Sequence, residues 1–102
     1  MGVRQVTVMA DYGAFPLWGG KNGGMLLPDA LPLSDGLRDE LIRWSDDYDR
    51  ILRTNGYEWP SEQVMTAWNR RGLGLARRVA RELGASYQVV FFDEPNGRVI
   101  EL

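Results

Sequence analysis

The chain contains no cysteine and no histidine. Without cysteine there is no disulfide, no thiolate nucleophile and no Cys-ligated zinc or iron–sulfur centre. Histidine is the side chain whose ordinary pKa lies nearest neutrality, and it is the commonest metal ligand. Its absence removes Ser-His-Asp and Cys-His triads and any His-bound zinc water. Catalysis by carboxylate, tyrosine, lysine or arginine alone stays open, but the composition points away from an enzyme and from any metal or other cofactor. Lysine is nearly missing as well. Of twelve basic side chains only Lys21 is a lysine, a bias that fits a GC-rich coding genome. No apolar run approaches the roughly 20 residues a membrane span needs. Met1 to Ala10 has neither the basic nor the apolar region of a signal peptide, so a cytoplasmic location is expected.

What is present describes an ordinary folded domain. The 102 residues are 44% hydrophobic and 25% charged, with a net charge of −2. That length suits a single α+β domain spanning 1–102. The mild acidity gives no general reason to expect nucleic acid or an anionic membrane as partner.

Val6 and Val8 alternate with Thr7 and Met9, the period of a strand. Asp11-Tyr12-Gly13 closes it. Tyr12 to Leu33 then carries five glycines and three of the five prolines, a long irregular segment. Within it Phe15–Trp18 and Met25–Leu27 flank a glycine-rich turn and form a short irregular hairpin. Ser34 is a helix N-cap with Asp35 in the first turn. Leu37, Leu41, Trp44, Tyr48, Ile51 and Leu52 follow at helical spacing, up to a stop at Asn55-Gly56. Ser61 caps a second helix, marked by Val64, Trp68, Leu75, Val79 and Leu83 and ended by Gly84. Gly72 and Gly74 interrupt it, which predicts a kink, a break or a close backbone approach. Tyr87–Phe92 and Val99–Leu102 read as a hairpin turned at Pro95-Asn96-Gly97. The expected fold is a three-stranded sheet with two helices on one face, in the order β-(long loop)-α-α-β-β.

The penultimate strand is apolar on both sides, with Tyr87, Val89 and Phe91 opposing Val90 and Phe92. Two helices cover one face only. Either the long loop covers the other, or a second copy does and the protein is a homodimer.

Charge patterning yields two readings. Asp39–Arg43, Asp46–Arg50 and Asp49–Arg53 are acid-then-base pairs at i,i+4, which explains the aspartate run around Tyr48 as a self-neutralised helix surface rather than a metal site. Arg70, Arg71, Arg77, Arg78 and Arg81 are the one basic concentration. Arg71, Arg78 and Arg81 share a side of the helix and define a nucleic-acid-binding alternative, although no recognised nucleic-acid motif accompanies them. Gly72-Leu73-Gly74 follows a helix rather than a strand and is no dinucleotide fingerprint.

Trp44 and Trp68 fall on apolar helix faces and belong to the core. Asp11, Tyr12, Phe15, Trp18 and Lys21, with Trp59 in the later connection, are aromatic and charged residues in loops. Loops held by a rigid scaffold often carry binding function, and aromatics are enriched at interaction hot spots. These six are the candidate binding residues, though the same aromatics would equally plug the uncovered sheet face.

Asp11-Tyr12-Gly13-Ala14-Phe15-Pro16-Leu17-Trp18, Gly23-Gly24, Leu31-Pro32-Leu33-Ser34 and Trp44-Ser45-Asp46-Asp47-Tyr48-Asp49 together resemble a group of small acidic proteins from GC-rich bacteria. That resemblance covers about half the chain and implies no activity. In size and class the chain is also similar to immunity proteins that neutralise a toxin. The expected function is a non-catalytic intracellular protein-binding module of the immunity or antitoxin kind. The alternatives are nucleic-acid binding through the Arg70–Arg81 helix face, and a small enzyme using Asp11, Tyr12 and an arginine such as Arg71.

Overall fold

A computed structural model describes residues 4–19 and 23–102. The first strand, β1 (Arg4–Val8), is followed by β2 (Leu17–Trp18), α1 (Asp35–Thr54), α2 (Glu62–Leu83), β3 (Tyr87–Asp93) and β4 (Arg98–Glu101), with a 3₁₀ turn at Gly84–Ser86 before β3. The strands form one mixed sheet in the order β2-β1-β3-β4. β1 and β3 are parallel, with Val6 opposite Val89 and Val8 opposite Phe91. β2 and β4 extend the two edges antiparallel.

The sheet therefore has four strands where three are expected from sequence. The added one comes from the glycine-rich segment. Met9 N donates to Pro16 O at 3.1 Å, which folds the chain back so that Leu17 pairs with Val8. The irregular hairpin forms as expected: Trp18 bridges Met25, and Leu26 N donates to Leu17 O at 2.8 Å. Two residues of β-sequence are too short a signal to separate an edge strand from a loop.

Both helices begin as their caps dictate. Ser34 Oγ accepts from Leu37 N and Ser61 Oγ from Val64 N, each supplying a partner to an orphan amide of the first turn. Glu82 of α2 fixes the first cap further, one carboxylate oxygen accepting from Ser34 N and the other from Ser34 Oγ. These bonds hold the Glu82 carboxyl below its ordinary pKa, backbone bond first, against the opposing effect of burial.

Leu37, Leu41 and Trp44 of α1, and Leu75, Ala76 and Val79 of α2, share one cluster with Val6, Val8, Leu17, Val89 and Phe91. Both helices thus lie on the sheet face carrying Val89 and Phe91. Val64, expected on the apolar stripe, is exposed. It lies in the first turn of α2, N-terminal to the first buried residue, Trp68.

α2 runs unbroken through both glycines. Close approach is the reason at Gly72: a Cβ there would stand 2.6 Å from Trp44 Cε2 and 3.0 Å from Phe91 Cε1. Gly74 meets nothing within 4 Å.

Phe15, Leu26, Leu31 and Leu33 of the long segment pack into the helix-side core. The register puts Trp18, Thr7, Val90, Phe92 and Val99 on the opposite face. On that face Val90 is buried, Phe92 is half-buried and Val99 is 54% exposed.

Candidate functional site

The C-terminal ends of β1 and β3 and the C-terminal turns of α1 meet at one end of the molecule. β1 runs out into a turn in which Ala14 N donates to Asp11 O at 3.0 Å. Gly13, third in that turn, has φ 74°, a conformation that costs a residue with a Cβ far more than glycine. The turn is fastened to α1. Gly13 N donates to both Asp49 carboxylate oxygens, at 3.2 and 3.3 Å, and Ser45 Oγ donates to Ala14 O at 2.9 Å. Ser45 is one of two buried polar residues in the described chain, and this bond satisfies it.

The α1–α2 connection reaches the same place. Gly56 and Tyr57 both adopt positive φ, 66° and 65°. For a tyrosine this is a strained backbone, worth about 1 kcal/mol or more. Tyr57 N donates to Leu52 O at 2.6 Å, closing the helix end. Its ring meets Tyr12 edge-on at 5.7 Å. Both rings are exposed, at 65% for Tyr57 and 46% for Tyr12.

Tyr48, in α1 one residue before Asp49, sits against Trp59 and Trp68, with ring centroids 5.9 and 5.2 Å away. Burial raises the Tyr48 pKa, and the charges of Glu94, Asp11 and Asp49 raise it further. Burial also raises Glu94, with a further push from Asp11. The charges of three carboxylates thus act on one tyrosine. Among the described residues none of the three has a basic group within 4.0 Å.

Among the described residues four other acids, Asp35, Glu40, Asp47 and Asp93, pair with arginines, though not in the expected pairs. Among the described residues Asp39–Arg43, Asp46–Arg50 and Asp49–Arg53 form no ion pair; the helix-surface pairs are Asp35–Arg38 and Asp47–Arg50, at i,i+3. Two further pairs cross between helices, Asp47–Arg71 and Glu40–Arg78, both at 2.7 Å. Burial pushes the Asp47 carboxyl up, but hydrogen bonds and charge from Arg71 and Arg50 outweigh it and hold it below its ordinary value. Packing α1 against α2 presents Arg71 and Arg78 with partners that no local spacing reveals. Of the three arginines in the nucleic-acid alternative, two are therefore engaged by α1 carboxylates, and Arg71 is turned to Asp47 rather than to Asp11 or Tyr12.

The six candidate binding residues separate. Asp11 and Tyr12 lie in the acid–tyrosine cluster, with Trp59 inside it as packing for Tyr48 and Trp68. Phe15 is half-buried beside α1, where it both packs on the core and lines a groove. Trp18 is on the other face of the sheet, its Nε1 donating to Met9 O at 2.8 Å. Lys21 lies outside the described residues. Sequence reasoning misses Tyr48, Asp49, Tyr57 and Glu94. Tyr57 carried the same signal as Trp59, an aromatic in the inter-helix connection. The others become visible only when the strand and helix ends converge.

The scaffold is a small α+β domain that presents two exposed tyrosines at the end holding carboxylates without an ion-pair partner among the described residues. A sequence comparison gives the family: the model of the family described as Serratia CdiI immunity protein-like matches residues 4–94. The chain belongs to that family, and with it to proteins of the immunity type, whose role is to bind a toxin. No curated protein matches the chain. Among the described residues no helix is long and apolar enough to cross a membrane, and no group of acids is arranged to hold a metal ion.

Proposed function

We propose that this protein is a cytoplasmic immunity protein that binds one toxin domain and blocks it without chemistry of its own, and that its binding surface is the Tyr12–Tyr57 end. The observation that carries the reading is the exposed Tyr12–Tyr57 pair at the same end as Asp11, Asp49 and Glu94, none of which has a basic group within 4.0 Å among the described residues. Burial, and then the charge of Asp11, make ionised Glu94 costly in the uncomplexed protein. A basic partner surface removes that cost and gains the attraction, and complementary charge also speeds encounter. Tyrosine supplies contact area with few rotatable bonds, which suits an interface anchor.

The test is calorimetric titration with the cognate toxin domain, sought among the neighbouring genes. Tyr57→Ala and Tyr12→Ala should each weaken the complex by about 2 kcal/mol, as at interface hot spots, with urea midpoints close to the parent's. Unchanged affinity in both variants overturns this surface as the toxin contact.

A further inference from the structure

Next to the tyrosine pair, the turn at Gly13–Pro16 and the outer side of α1 enclose an open groove of about 240 Å³, lined by Phe15, Pro16, Ile42, Ser45, Asp46 and Asp49 among others. Its walls divide by chemistry. Phe15 and Pro16 form an apolar side, continued by Ile42, which is 39% exposed on α1. Asp46 and Asp49 stand three residues apart on the same helix, so they are neighbours on its surface. Both Asp49 oxygens already accept from Gly13 N, which fixes that carboxylate before anything binds.

The groove's size favours a small occupant. Pockets for small organic ligands run roughly 300–1,000 Å³, and this groove is smaller and open. It suits a single long side chain. Charge selects which one. In the neighbouring groove between α1 and α2, Asp47 and Glu40 are neutralised by Arg71 and Arg78. Among the described residues Asp46 and Asp49 have no basic group within 4.0 Å. One groove is complete within the chain, and the other has the apolar wall and the carboxylates but no described cation.

We propose that this groove receives one arginine side chain of the toxin, its methylene stem lying on Phe15 and Ile42 and its guanidinium between Asp46 and Asp49. Arginine fits better than lysine because its planar fork of five donors engages two carboxylates at once, whereas an ammonium acts as a point charge. Apolar stem burial with the charged head held at the rim is the usual behaviour of the residue. This assignment rests on the immunity reading above.

Two measurements test it. The first is a heteronuclear NMR titration of the free protein with N-acetyl-arginine amide, and with the citrulline analogue, which keeps the shape and loses the charge. Saturable shifts at Phe15, Ile42, Ser45, Asp46 and Asp49 with the arginine probe, and none with citrulline, support the groove. Equal shifts with both probes, or shifts spread over the other surface acids, overturn it.

The second is affinity for the toxin domain, measured with the wild type, the double variant Asp46→Asn/Asp49→Asn, and Ile42→Trp, which fills the groove from an exposed position. At least a tenfold loss in both variants is expected, with the urea midpoint held in Ile42→Trp, which keeps both Asp49–Gly13 bonds. Tight wild-type binding that neither variant changes by more than twofold overturns the groove and leaves the immunity reading standing. No wild-type binding overturns both. Self-association of the wild type that Ile42→Trp abolishes would show a second copy in the groove and overturn the toxin arginine.

Discussion

Trp44 and Trp68 each donate an indole hydrogen bond to the other's main-chain oxygen. Both bonds measure 3.0 Å, and the rings stack at 4.3 Å between centroids, 8° from parallel. Every polar atom of the two indoles is thereby satisfied inside an apolar core, where an unpaired donor costs about 1–3 kcal/mol. The exchange works because Gly72, one turn beyond Trp68, has no Cβ. The notch brings the Trp44 ring down onto the α2 backbone.

Single replacements Trp44→Phe and Trp68→Phe should each destabilise the protein, and the double variant should lose less than their sum. A coupling of about 1 kcal/mol or more is expected for side chains in direct contact. Urea denaturation of the four proteins measures it, and additivity within about 0.3 kcal/mol would refute the reciprocal arrangement.

Gly72→Ala and Gly74→Ala should move stability in opposite directions, although both exchange glycine for a better helix former. At position 74 the space is open, so alanine gains roughly 0.5–1 kcal/mol. At position 72 the new methyl strikes the Trp44 ring, and overpacking of about 1–3 kcal/mol outweighs that gain. Thermal midpoints of the two variants check the sign of each.

Glu94 gives a pH signature. Its pKa in the folded protein is raised above the ordinary 4.5 by burial and by Asp11, so the folded state binds its proton more readily than the unfolded chain. Ionised Glu94 therefore destabilises the fold at neutral pH, and the penalty fades as pH falls through its raised folded pKa. Glu94→Gln should be the more stable protein at pH 7, by no more than about 0.5 kcal/mol given solvent screening. The difference should disappear in acid. Denaturation across pH measures it, and a variant less stable than the parent at neutral pH contradicts the assignment.

Self-association through the open sheet face is expected, because Val99 is exposed beside Val90 and Phe92, and Phe15, Leu17, Leu26, Leu31 and Leu33 of the long segment pack on the helix side, leaving Trp18 on this face. Sedimentation at micromolar concentration should show a dimer that Val99→Glu dissociates. A monomer throughout that range removes the sheet-face dimer.

The arginine face of α2 should not hold nucleic acid at physiological salt, since Arg71 and Arg78 are engaged by Asp47 and Glu40. Replacing Asp47→Asn and Glu40→Gln frees both. Binding of a short labelled RNA should then appear at low salt and decline steeply as salt rises, in proportion to the phosphates neutralised. Fluorescence anisotropy distinguishes the two proteins. Micromolar binding by the parent at physiological salt would restore the nucleic-acid alternative.

The sequence alone determined what is periodic or local. The two helices, their serine caps and glycine ends, the β3–β4 hairpin with Gly97 at φ 61°, and the core assignment of Trp44 and Trp68 all follow from side-chain spacing and turn chemistry within about a dozen residues. Asp11 and Tyr12, expected in a loop, are exposed in the turn after β1. Only tertiary structure decided what depends on distant segments meeting. β1 pairs parallel with β3 across some 80 residues of chain, and parallel pairing leaves no turn signal to read. Arg71 pairs with Asp47, 24 positions away, because its own helix offers no acid three or four residues from it and the packing of α1 on α2 supplies one. The acid–tyrosine end draws Asp11 from one strand end, Glu94 from another, and Tyr48 and Asp49 from a helix. No single stretch of sequence holds them together, so folding alone assembles that surface.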